Sequence, residues 1–163
     1  MAELVPAGKT FRAQVDARFP NRDRRSDGWI GDSAHSARKS DHNPDSKGRV
    51  HAIDVDENFG SGVARNGAQA QQMCKELLAY QRSGLPGSNR IKNAVYENRV
   101  ASGTYKSKLK FWRWRKGNYG HEGHVHLSFT TAAETNGSPF PLPCLATTPA
   151  QRVRWAKALT GKP

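Results

Sequence analysis

All six histidines of this chain fall in two short stretches, His35, His42 and His51 early and His121, His124 and His126 late. Histidines spread at random would not crowd in this way, and the first stretch runs on into Asp54 and Asp56. Imidazole and carboxylate together form the usual ligand set of a catalytic zinc site. One site built from both stretches requires a fold that lays two distant segments side by side. Residues two apart in a strand face the same side, so His124-Val125-His126 predicts a strand turning both imidazoles into one pocket.

A length of 163 residues supports one domain, residues 1–163, around a single core. The apolar fraction of 36% and the mean hydropathy of -0.80 are low, but four Trp, four Tyr and six Phe supply bulk to bury. With 15 Gly and 9 Pro, the composition suits a loop-rich α+β domain better than a helical bundle. There is no internal repeat and no apolar run long enough to span a bilayer. The formal charge of +12 predicts attraction to a polyanion, whether nucleic acid, anionic wall polymer or lipid head groups, and does not choose among them. Two cysteines are too few for a disulfide scaffold; Cys74 reads as a small core residue, and its pairing with Cys144 stays open. The start, Met1 to Pro6, lacks the apolar core of a secretory signal, so the expectation is synthesis in the cytoplasm and action on any wall target after release.

Apolar residues at Phe11, Val15 and Phe19 predict a helix from about Thr10, closed by Pro20. Residues 28 to 50 read as an ordered functional loop. Val50 to Val55 alternates as a strand, with Ala52 and Asp54 on one face and Ile53 and Val55 on the other. Ala64 to Gln81 carries the clearest helical stripe, through Ala68, Met73, Leu77, Leu78 and Tyr80. Asn93 to Ala101, Leu109 to Arg115 and Val125 to Thr130 suit strands. Thr148-Pro149 predicts the start of a final helix, residues 148–159. The expected fold is therefore α+β, with a small antiparallel sheet carrying the site and helices flanking it.

Catalytic zinc takes three protein ligands and keeps one position open for water. The segment from Ser40 to Asp54 offers a histidine and a carboxylate across a glycine-containing turn, and the late strand offers a third ligand. In this pattern the chain resembles the zinc peptidases that cut peptidoglycan peptides: the D-alanyl-D-alanine carboxypeptidases, the L-alanyl-D-glutamate endopeptidases and the lysostaphin-like enzymes. Their signature is Ser-x-His, a glycine, Ala-x-Asp and, much later, His-x-His. Ser40-x-His42 and Ala52-x-Asp54 match its first half, and His124-x-His126 its second. His121, His124 and His126 also follow the His-x-x-His-x-His run of the penicillin-insensitive murein endopeptidases. The similarity covers roughly residues 28–130, the expected catalytic core.

The resemblance implies one Zn2+ held by His42, Asp54 and His126. It implies His124 as the group that moves the proton, with His121 as helper and Glu122 as third candidate. Many relatives carry a Glu three residues before the last histidine, where this chain has Gly123. The interval from His42 to Asp54 is longer than the family's, with extra residues around Pro44 to Lys47, which makes Asp56 the alternative to Asp54. Asp56 shares that strand face and is otherwise expected to support a ligand, as is Asp32. The Arg38 guanidinium, with Ser40 beside it, is the candidate for gripping a stem-peptide carboxylate. His35 and His51 are expected to be neighbours of the site rather than ligands, with His51 exposed.

The activity this implies is zinc-dependent hydrolysis of peptide bonds in bacterial peptidoglycan by an endolysin-like, phage-type enzyme. It would act as a monomer, with anionic wall polymers drawn to the basic surface. Two alternatives stand beside it: a metal-dependent nuclease, which also suits the charge, and a non-catalytic zinc-binding module of the wall. The stretch Lys106 to Lys116 interleaves cations with Phe111, Trp112 and Trp114. That pattern suits either single-stranded nucleic acid or, more economically, a sheet with aromatics on one face and solvated cations on the other.

Overall fold

The structure, a computed structural model, describes residues 1–31, 39–60, 67–103 and 113–161. Asp32, His35 and Arg38, and most of the cation–aromatic stretch, lie outside these residues. The described chain opens with strand β1 (Glu3–Leu4) and helix α1 (Pro6–Arg18). Strands β2 (Arg49–Val50) and β3 (Ala52–Asp56) precede helix α2 (Gly67–Ser83). Strands β4 (Ile91–Tyr96), β5 (Arg99–Ser102), β6 (Arg115–Lys116) and β7 (His124–Phe129) follow, and helix α3 (Pro149–Thr160) closes the order. The expected α+β class is the observed one: a five-stranded antiparallel sheet in the order β3-β7-β4-β5-β6, with β1 and β2 forming a small parallel pair.

Helix α1 begins at Pro6 instead of Thr10, because a proline in the first turn has no amide that needs a partner. Its Ala7, Phe11 and Val15 recur every fourth residue and are completely buried. Gly8 lies on the same inner side, where a β-carbon would stand 2.7 Å from the Leu4 side chain. A β-carbon there would have to push the Leu4 side chain aside. Helix α2 buries Ala70, Met73, Cys74, Leu77 and Tyr80. Cys74 and Cys144 are both free thiols.

The alternation expected around Asp54 sorts the whole sheet. Ile53, Val55, Ala94, Tyr96, Val125, Leu127 and Phe129 join the core with both long helices. The opposite face carries Asp54, Asp56, His124, His126 and Ser128, and the register sets Asp54 opposite His126 and Asp56 opposite His124. Two expected strands are broken. Val50 to Val55 divides at His51, since β2 pairs with β1 and β3 with β7. Asn93 to Ala101 is a hairpin, β4 and β5 turning through Glu97 and Asn98 at φ 47° and 57°. Two consecutive left-handed residues are the type I′ geometry that matches strand twist. Asn98 serves it by accepting from the Gly120 N–H and donating to Glu122.

The far end of the core is closed by Arg90, which is fully buried. Its guanidinium donates to the carbonyls of Gly87, Asn136 and Ser138 and stacks 4.2 Å over the Phe140 ring. The final helix starts as expected: the Thr148 hydroxyl accepts from the Gln151 N–H and Pro149 occupies the first turn. It buries Trp155 and leaves Arg152, Arg154 and Lys157 exposed. Among the described residues no helix is long and apolar enough to cross a membrane.

Candidate metal centre

The ladder between β3 and β7 explains why a carboxylate and an imidazole meet. The Asp54 N–H and C=O bond outward to Gly28, at 2.6 and 3.2 Å. Asp54 and His126 therefore form a non-hydrogen-bonded pair, the class in which opposed side chains come closest. The Asp54 carboxylate lies 2.8 Å from His126 Nδ1 and 3.3 Å from His42 Nε2. His42 Nε2 and His126 Nδ1 are 3.2 Å apart. Donors 2.0–2.1 Å from a tetrahedral zinc are separated by about 3.3 Å, so the group matches a small tetrahedral ion to within a few tenths of an ångström. These three residues can hold a metal ion, as the sequence pattern anticipates.

Both histidine ligands are aimed by a partner behind them. His42 Nδ1 meets the Trp29 carbonyl at 3.2 Å, and His126 Nε2 meets the Ser128 hydroxyl at 2.8 Å. Such contacts fix ring orientation and leave the inner nitrogen for the site. The His42 backbone N–H donates to Ser40 Oγ, so the Ser-x-His serine braces the turn. Lys92 donates to both oxygens of Asp41, at 2.6 and 2.7 Å, and the Gly31 N–H donates to the His42 carbonyl. Together these contacts hold the loop against the sheet. Around the extra residues, Asp45 accepts from the N–H groups of Lys47 and Arg49, which folds the added length into a tight turn.

Electrostatics agree with a shared negative charge. Burial pushes the Asp54 carboxyl up, but hydrogen bonds and charge from His126 and His42 outweigh it and hold the group well below the carboxylate range. Burial pulls the His42 imidazole down, and the Asp54 carboxylate more than offsets this, leaving it above its ordinary value. His121 is pushed down to about 4 by burial and by the charge of His126.

The neighbours divide into those that reach the site and those that do not. His124 Nε2 stands 3.8 Å from Asp54 Oδ1 and 2.9 Å from His121 Nδ1, while the His121 ring lies 4.5 Å from that of His126. His121 has φ 60°, the backbone twist that folds its ring back over the strand. Glu122 turns away to Asn98 on the surface. Asp56 faces the same side as Asp54, but its oxygens accept from the N–H groups of Ser26 and Asn58. It anchors the edge segment carrying Gly28 rather than touching a ligand. His51 is half-buried instead of exposed, its Nε2 3.0 Å from Glu134. With Asp45 these form another cluster of ligand type, but Arg49 pairs with both carboxylates and offsets one of their two charges.

Lys92 and Trp29 are the positioning residues that sequence reasoning missed. A lysine in a strand carries no signal of the loop it will meet, and Trp29 contributes only a backbone carbonyl. Comparison with protein-family models, with curated proteins and with solved structures returns no match for this chain.

Proposed function

We propose that the chain is a zinc-dependent hydrolase of peptide bonds in bacterial peptidoglycan. The observation that carries this reading is the pairing of a three-donor group, His42, Asp54 and His126, with two further imidazoles, His121 and His124, beside the same carboxylate. Zinc bound by three protein ligands supplies a Lewis acid for a carbonyl and lowers the pKa of water to about 7. His124, only 22% exposed and within reach of Asp54, is placed to accept a proton and pass it to the leaving amine. His121, pushed down to about 4 chiefly by burial, stays uncharged at neutral pH, and its Nδ1 stands 2.9 Å from His124 Nε2. The resemblance in the motifs to peptidoglycan peptidases supplies the substrate class, and the +12 charge suits a wall rich in anionic polymer.

The test is digestion of purified cell walls by the zinc-loaded chain, read by mass spectrometry of the released muropeptides. New pairs of amino and carboxyl ends within stem peptides or cross-bridges are expected, and they vanish with chelator. Intact walls together with cleavage of plasmid or RNA would replace this reading with a nuclease. Intact walls and intact nucleic acid would leave a wall-binding module.

A further inference from the structure

The carboxylate of Asp54 is surrounded by four imidazoles, in two pairs. Its Oδ2 faces His42, and its Oδ1 faces His124 as well as His126. On the second side, His121 Nδ1 and His124 Nε2 point at one another across 2.9 Å, and the two nitrogens with an Asp54 oxygen all lie within 4.8 Å of each other. That is a second set of two nitrogens and one oxygen, with Asp54 common to both. Paired metal sites of hydrolases hold two ions about 3.5–4 Å apart, and here one carboxylate, through Oδ1, stands beside a histidine of each set.

We infer that His121, His124 and Asp54 form a second divalent-cation subsite, weaker than the first, and that filling it switches the enzyme off. The inference rests on the reading that His42, Asp54 and His126 hold the first ion. Three features make the second position weaker. The His124 side chain is 22% exposed, against 5% for His42 and 9% for His126, so water competes for it more freely. The donors of the second set are also spread more widely, at 2.9 and 3.8 Å against 2.8–3.3 Å in the first set, so they must move more to close on one small ion. Finally, the one negative charge at the centre is already shared with the first ion. The consequence for activity is direct: a cation on His124 occupies the lone pair that would accept the proton. Free transition-metal ion would then act as an inhibitor at concentrations above those that activate.

Equilibrium dialysis of the chelator-stripped full chain against Zn2+ tests this. Two ions per chain are expected, the second at least tenfold weaker, with wall hydrolysis rising over the first step and falling over the second. His121→Gln and His124→Gln should each bind one ion at near wild-type strength and lose the second. Saturation at one ion per chain would overturn the second subsite and leave the first reading standing. Failure to bind any ion would overturn both. A measurement needing no variant is electron paramagnetic resonance of the wild-type chain with two Co2+ ions. Spin coupling through a shared carboxylate is expected, and two independent signals would overturn the bridge.

Discussion

Asp54→Asn keeps the size and shape of the side chain and removes the single charge on which His42 and His126 converge. Loss of a contact behind a ligand lowers metal affinity about 10–100-fold, so loss of a ligand itself should exceed about 100-fold. At zinc 1,000 times the wild-type Kd, binding stabilises the native state by about 4.1 kcal/mol. The same zinc is then at most about ten times the variant's Kd, which gives about 1.4 kcal/mol by the same relation. For a domain of this size each kcal/mol moves Tm by roughly 2–4 °C. Zinc should therefore raise the wild-type Tm by roughly 8–16 °C and that of the variant by no more than roughly 3–6 °C. Thermal unfolding with zinc and with chelator, at a pH near 7.5, gives both shifts. A variant with the full wild-type shift would show that Asp54 is not a ligand and would overturn the centre described above.

The metal-free protein should respond to pH in the opposite sense from metal binding. His42, raised above 6.5, contributes stability that is complete below about pH 6.5 and lost as pH climbs through its folded value. Asp54, depressed, contributes above about pH 3.9 and loses this only as pH falls through its folded value. His121, pushed down to about 4, adds stability in the opposite sense as pH rises through about 6.5, so calorimetry of the stripped His121→Gln chain is the clean test. Its Tm should fall from pH 6 to 8 while the zinc affinity of the wild type rises, and a flat profile would refute the pairing. Lys92→Met frees Asp41 and the loop behind His42, and should weaken zinc binding about 10–100-fold without removing it; unchanged affinity in a competition assay would show that the loop holds itself. Arg90→Met takes the donor from the buried carbonyls of Gly87, Asn136 and Ser138, at about 1–3 kcal/mol for each left unsatisfied, and should lower the Tm of the stripped chain by roughly 10 °C, with the zinc-induced shift preserved.

Much of the centre is visible in the sequence because strand geometry is local. Period-two alternation places Asp54 on one face and Ile53 on the other whatever the rest of the chain does, and the same holds for His124 and His126. The pairing of Asp54 with His126 rests on register, which alternation constrains only to even steps. What was illegible depends on contacts between distant segments. The hairpin at Glu97–Asn98 lacks the glycine that advertises such turns, and its left-handed backbone is held by Gly120 and Glu122 from another part of the chain. His51 read as exposed because nothing nearby in sequence announces Glu134.

The unequal tolerance of these segments to change in length follows from the sheet. An insertion of a single residue within β3 or β7 would exchange the two faces, sending Asp54 or His126 into the core and Ile53 or Leu127 toward the metal. Site and interior would fail together, so both strands are fixed in parity. The turn closed by Asp45 has no such rule: it leaves the loop after His42 and returns before β3, and any number of residues that closes is allowed. The long interval between His42 and Asp54 is thus a free variable of this architecture, and a search for similar centres should hold the strands rigid and let that gap float.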